Sequence, residues 1–167
     1  MSDGLLVRPA AEGDLEAVGE IYNHYVRTSH ATFDIEPKDL AWGRRWLEAH
    51  ANERHRALVA VREGRVVGFA TSGRYRERAA YDSSVETSVY VAPGSTGLGI
   101  GAELYAQLLA GLSGQGVHRA LAGIALPNDA SVRLHVRFGF QRIALFTEQG
   151  RKFNRYWDVA WYERPID

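Results

Sequence analysis

At 167 residues, 46% apolar and 24% charged, the chain has the composition of one globular domain large enough to bury a proper core. Twenty basic and twenty acidic side chains give a formal net charge of zero, so no electrostatic footprint for nucleic acid exists at whole-chain level. The absence of cysteine excludes disulfides, thiolate metal sites and a thiol nucleophile, and no apolar run approaches the ~18 residues of a membrane span. The N-terminus also lacks a basic-then-apolar signal. A soluble cytoplasmic protein, with neither nucleic acid nor membrane as partner, is expected.

Leu5 to Arg8 reads as a short strand stopped by Pro9. Asp14 then opens an amphipathic helix in which Leu15, Val18, Ile21, Tyr22, Tyr25 and Val26 keep the 3.6-residue period. A polar and aromatic connection, Thr28 to Pro37, leads to a second helix expected from Lys38 to about Asn52, carrying Leu40, Trp46 and Leu47. Ala57–Val61 and Val66–Ser72 read as a hairpin turning at Glu63-Gly64-Arg65, and Gly68 predicts a bulge or a close backbone approach. The polar stretch Arg74 to Ser83 follows.

Val85 to Val91 alternates Val85, Thr87, Val89 and Val91 with Glu86, Ser88 and Tyr90, the period of a strand, and Pro93 ends it. Gly94, Gly97, Gly99 and Gly101 come next, then a helical pattern with Leu104, Leu108 and Leu112. A strand, a glycine-rich turn and a helix N-terminus together form an anion site, read here as a pyrophosphate cradle; the plain reading of the loop alone is a glycine-rich hairpin or loop that binds nothing. Gly101 is followed by Ala102 and Glu103 instead of Lys-Ser/Thr, which excludes a nucleoside-triphosphate P-loop, and the glycine spacing is wrong for a dinucleotide fingerprint. Ala120–Leu126 is a further strand. Pro127-Asn128-Asp129 breaks it and caps a helix that reaches about Phe138 before Gly139. Phe140–Phe146 and Trp157–Tyr162 close the chain as a pair of strands. The element order implies an α/β fold with a mixed, mostly antiparallel sheet and helices on both faces.

The segment VYVAPGSTGLGIG, followed by LPNDASVRLHVRFGF, resembles the acetyl-CoA site of the GCN5-related N-acetyltransferases (GNAT). With IYNHYVRTSHATFDIEP, AYDSSVETSVYV and KFNRYWDV, the resemblance narrows to the phosphinothricin and methionine sulfoximine acetyltransferase group and covers nearly the whole chain. It implies a single N-acetyltransferase domain over residues 1–167, a homodimer, acetyl-CoA as cosubstrate, and a central strand that splays from its neighbour at a bulge. The cradle would be Thr96, Gly97, Leu98, Gly99, Ile100 and Gly101, with Thr96 where the family has Gln or Arg. Pantetheine would pair with the backbone of Val89, Tyr90 and Val91, with Asn128 and Ser131 contributing from the next helix. The acceptor, a small amino acid or analogue, would meet Phe33, Arg78, Tyr81 and Ser88.

From the residues alone Glu86 has two readings, a strand carboxylate bonded to a nearby arginine or a general base. The match to the family's glutamate favours the base, which takes a proton from the attacking amine. His135, where most of the superfamily has tyrosine, would face the thioester sulfur and assist thiolate departure; its plain reading is a packed helix histidine. Arg74 and Arg76 read as solvated loop cations. The other histidines show no metal-ligand spacing, so no metal is expected. Rival functions are acetylation of a peptide or protein N-terminus or a polyamine, and a non-catalytic acyl-CoA sensor.

Overall fold

The computed structural model describes residues 4–167. Its elements in chain order are β1 (Leu5–Pro9), α1 (Leu15–Thr28), α2 (Leu40–Ala49), β2 (Arg56–Arg62), β3 (Arg65–Arg74), β4 (Ser84–Val91), α3 (Ile100–Leu112), β5 (Arg119–Ala125), α4 (Asp129–Arg137), β6 (Gln141–Lys152) and β7 (Arg155–Pro165). The sheet runs β1-β2-β3-β4-β5-β7-β6, antiparallel throughout except for the β4–β5 pair. Leu104, Leu108 and Leu112 of α3 are fully buried against Leu58, Ala60, Ala70 and Val85, and α4 packs on this same face through Val132 and Leu134. Val18 and Ile21 of α1 pack against Val59 and Phe69 on the opposite face, with Trp46 of α2 beside them. This is the mixed sheet with helices on both faces that the element order implies. Among the described residues no helix is long and apolar enough to cross a membrane.

Local chemistry explains where the elements start and stop. Asp14 precedes α1, but its carboxylate is taken by the two guanidinium nitrogens of Arg8, at 2.7 and 2.9 Å, and by the Ala11 N–H at 2.8 Å. α2 starts two residues later than expected because Asp39 is its cap, accepting from the Trp42 N–H at 2.8 Å. Leu40, expected on the apolar face, is exposed as a result. In the β2–β3 hairpin, Glu63 and Gly64 both take positive φ, as a tight two-residue turn requires. Gly68 fulfils both expectations: Val67 is an extra residue opposite Ala60 and Val61, and a Cβ on Gly68 would come within 3.1 Å of the Tyr90 carbonyl oxygen and 3.2 Å of Ile100 and Leu104.

The closing hairpin is longer than the sequence pattern suggests. It turns at Phe153-Asn154, and β6 carries extra residues at Ile143 and again between Phe146 and Gly150, which break the alternation of its apolar side chains.

The β4–β5 ladder has three pairs only and ends at Glu86–Leu121. Beyond it the strands part. The β3–β4 register is unbroken from Val85 to Val91, so the expected splay is present but the expected bulge in β4 is not. Thr87 Oγ1 donates to the Leu121 carbonyl at 3.4 Å where the ladder stops.

Candidate active site

Strand alternation gives the parting two chemically different sides. Val85, Val89 and Val91 join the α3 core, whereas Tyr90 packs among the α1–α2 side chains, which puts Glu86 and Ser88 on that second face. The backbone alternates too. Ser83 bonds toward β5 and Ala92 toward β3, so the N–H and C=O of Val89 and Val91 point into the parting while those of Tyr90 pair with β3. Val89 is therefore an open edge for an extended amide-bearing chain, joined by the Val91 N–H; the Val91 carbonyl accepts from the Tyr25 hydroxyl. Tyr90 contributes its ring instead, packed against Tyr22, Tyr25 and Phe69.

A cleft of about 500 Å³ runs along this edge. Its walls include Val89, Tyr90, Val91, Thr96, Gly97, Gly99 and Gly101 on one side and Asn128, Ser131 and His135 on the other. Gly99 is the N-cap of α3 at φ 78°, and Gly97 has φ 76°, conformations that side chains rarely adopt. The first-turn N–H groups of α3 have no intrahelical acceptor and face this loop, which suits a pyrophosphate. Leu98 is exposed and Ile100 is buried in the core, and neither lines the cleft, so only their backbone is left to serve the cradle. Asn128 caps α4, its Oδ1 accepting from the Ser131 N–H at 3.2 Å. Arg133 and Arg137 also line the cleft and supply cations that the sequence reading did not single out. An anion cradle, a free strand edge and a long cleft fit the pyrophosphate and the amide-containing arm of acetyl-CoA.

His135 is buried, and both its ring nitrogens are engaged. Nδ1 lies 2.7 Å from the Ser131 carbonyl oxygen and must carry a proton to bond there, which leaves Nε2 in the neutral ring to accept from the Tyr105 hydroxyl at 2.8 Å. Burial pushes the imidazole pKa down, consistent with the neutral ring. Tyr105 also contacts Thr87 Oγ1 at 3.1 Å and lines the cleft, so His135 stands in a chain of polar groups reaching β4. Neither Tyr105 nor Thr87 stands out in the sequence, where Thr87 is one more residue of the alternating strand and Tyr105 one of eight tyrosines.

On the other face Glu86 is half-buried. Its pKa is raised by desolvation, and the charge of Arg76 opposes that rise. Arg76 is exposed, as the sequence reading has it, yet its charge bears on Glu86, and it also lies over the Tyr75 ring at 5.0 Å. Tyr75 contacts both Tyr81 and Trp161, and Trp161 Nε1 is buried with no partner among the described residues. Ser88 lines the cleft at the parting. Arg78 caps the turn before Tyr81 through its backbone and leaves its side chain exposed. Phe33 lies apart from this group, against Gly150 of the closing hairpin, where a Cβ would overlap its ring. Trp157 and Trp161 of β7 share this sheet face by alternation, so Phe33 and the tyrosine cluster mark two ends of one surface.

A sheet opened between two parallel strands, an anion cradle at the end of one and a carboxylate at the parting define an acyl-CoA-dependent transferase. The acetyltransferase (GNAT) domain family matches residues 7–161, and the chain belongs to that family. A phosphinothricin N-acetyltransferase of Streptomyces coelicolor is 52% identical over 96% of this chain and 95% of its own length. An L-methionine sulfoximine/L-methionine sulfone acetyltransferase of Pseudomonas paraeruginosa is 34% identical over 96% and 94%. The crystal structure of a phosphinothricin acetyltransferase from Sinorhizobium meliloti, in complex with acetyl-CoA, superposes with TM-score 0.94 at 30% identity, covering 99% of this chain and 89% of that one. The protein is an N-acetyltransferase that uses acetyl-CoA.

Proposed function

We propose that the acceptor is a small amino acid or its phosphinate, sulfoximine or sulfone analogue, of the phosphinothricin or methionine sulfoximine type, bound by one catalytic domain spanning residues 1–167. The observation that carries this reading is a half-buried carboxylate, Glu86, at the parting of β4 and β5 on the sheet face opposite the α3 cradle, with the charge of Arg76 reaching it and the Arg76–Tyr75–Tyr81–Trp161 group nearby in the sheet. The names of the relatives support it. Phosphinothricin and the sulfoximine both carry a carboxylate and a polar tetrahedral head, and Arg76 and Arg78 offer guanidinium forks suited to such oxygens.

In this reading acetyl-CoA enters from the α3–α4 face and the acceptor from the α1–α2 face, and they meet where β4 and β5 part. An ammonium has no lone pair to attack with. Glu86, directly or through one water, takes a proton from it, and the neutral nitrogen attacks the thioester carbon. The new C–N bond forms as the C–S bond breaks, CoA leaves as the thiolate, and the remaining extra proton on the acylated nitrogen passes to that thiolate, giving the amide and the CoA thiol. His135, with Tyr105 and Thr87, serves the sulfur side as a hydrogen-bonded wall. Phe33, Tyr81 and Ser88 shape the acceptor pocket.

We also infer a homodimer built on the closing hairpin, where Ile143, Leu145, Phe146, Phe153 and Tyr156 expose apolar surface on an edge strand and its partner. An acetyl-CoA consumption screen over amino acids and their phosphinate, sulfoximine and sulfone analogues tests the acceptor class. Turnover confined to peptides or to polyamines would replace it.

A further inference from the structure

The chain contains 18 arginines and only two lysines, Lys38 and Lys152. Both hold the connection between α1 and α2. Lys38 pairs with Asp34 at 3.2 Å, and its N–H donates to the Asn23 side chain at 2.7 Å. Lys152, the last residue of β6, is only 4% exposed, and its ammonium makes no ion pair among the described residues. It donates instead to three backbone carbonyls, those of Ser29 at 2.7 Å, Thr32 at 2.8 Å and Tyr25 at 3.4 Å. Two of these belong to the C-terminal end of α1, where the helix dipole is negative and a cation is stabilised. An ammonium has three donors directed from one point and matches three converging carbonyls; a planar guanidinium does not. In a chain that otherwise uses arginine, lysine at this position is a chemical choice.

Residues 29–34 form a strap with contacts on every side. His30 stacks on Trp157 at 4.0 Å and bonds the Pro127 carbonyl at 2.8 Å, next to the α4 cap. Ala31 lines the acetyl-CoA cleft, Thr32 bonds the Tyr22 hydroxyl at 2.9 Å, and Phe33 rests on Gly150. The strap therefore borders the cofactor cleft through Ala31 and carries the proposed acceptor wall at Phe33. The closing hairpin touches it through Trp157 and Gly150, and Lys152 adds the hydrogen bonds that hold its backbone.

We propose that Lys152 is a positioning residue that pins strap 29–34 between the acetyl-CoA cleft and the acceptor pocket, and so sets acceptor affinity. The acceptor side of this statement rests on the proposed function above; the pinning does not. With only two lysines, ¹⁵N-lysine labelling of the unaltered protein gives two side-chain signals. The proposal requires one of them to show ammonium protons that exchange slowly with water, and two fast-exchanging signals would overturn it. In Lys152→Met, backbone amides of 29–34 should exchange roughly tenfold faster or more while those of β2 and β3 keep their rates. The KM for the acceptor should rise about tenfold, with the acetyl-CoA dissociation constant changed far less; a 1.4 kcal/mol loss is one factor of ten. Lys152→Cys, aminoethylated at what is then the sole cysteine, restores the ammonium and should restore both quantities. Exchange that rises evenly across the core, or a strap indifferent to the ammonium, would contradict the pin. Strap loosening in Lys152→Met alongside a parent enzyme that acetylates no amino-acid analogue would uphold the pin and overturn the acceptor assignment instead.

Discussion

In the proposed mechanism Glu86 takes a proton from an ammonium, a task that gains from raised proton affinity, and burial raises the Glu86 pKa. Arg76 works against it by favouring the charged form. The acid limb of the pH–rate profile should therefore lie above the ordinary carboxylate range, with activity lost as pH falls through the Glu86 pKa. Arg76→Ala removes the charge that holds this value down, so the limb should move to higher pH. A pH profile of kcat that keeps its acid limb in place would mean that the two side chains are not coupled in the working enzyme. His135 shows the limit of reading single residues from sequence. Its place in the helix was legible, but the engagement of both nitrogens depends on Tyr105, thirty positions earlier, and on the helix's own carbonyl at Ser131. Arg76 escaped for a similar reason, since nothing in an alternating Arg74, Arg76, Arg78 run distinguishes the one whose field reaches Glu86.

At the scale of elements, strand β4 and the loop after it were readable because two local rules agree there. Alternation from Val85 to Val91 fixes the faces, and glycines at positive φ mark the turn into α3. Gly99 tests the loop most sharply. At φ 78° a β-branched side chain is strained by about 1–2 kcal/mol or more, so Gly99→Val should raise the acetyl-CoA dissociation constant roughly tenfold or beyond, measured by calorimetric titration. Gly101→Ala should be milder, because its Cβ would meet Leu134, Val91 and Val89 at ordinary contact distances of 3.5 to 3.8 Å. Unchanged binding in Gly99→Val would remove the loop from the cofactor site. The closing hairpin was the least legible part of the fold. Phe153 and Asn154 occupy left-handed conformations without any glycine to announce a turn, and the bulges of β6 destroy its period. The parting of β4 from β5 belongs to pairing rather than to local pattern, and only the family resemblance anticipated it.

On the scale of the molecule, in the proposed reading the sheet separates the two substrates and the parting joins them. Acetyl-CoA is then on the face covered by α3 and α4 and the acceptor on the face covered by α1 and α2, with the strap bordering both, and Glu86 stands at the last rung of the β4–β5 ladder. The same view makes the apolar edge of β6 and β7 a surface that asks for cover. Leu145→Lys combined with Phe146→Lys should convert the proposed dimer to monomer in analytical ultracentrifugation while leaving acetyl-CoA binding intact. A parent protein already monomeric at micromolar concentration would end that proposal. The central claim is that a carboxylate at the parting drives amine attack, and Glu86→Gln tests it most directly by keeping the shape and removing the proton acceptor. General-base assistance is typically worth ~10²- to 10⁴-fold, so kcat at pH 7 should fall within about that range, recover in part as pH rises and solvent deprotonates the amine, and leave acetyl-CoA affinity nearly unchanged. Profiles of the variant and the parent that overlay in height and shape would contradict the account and make Glu86 a structural residue.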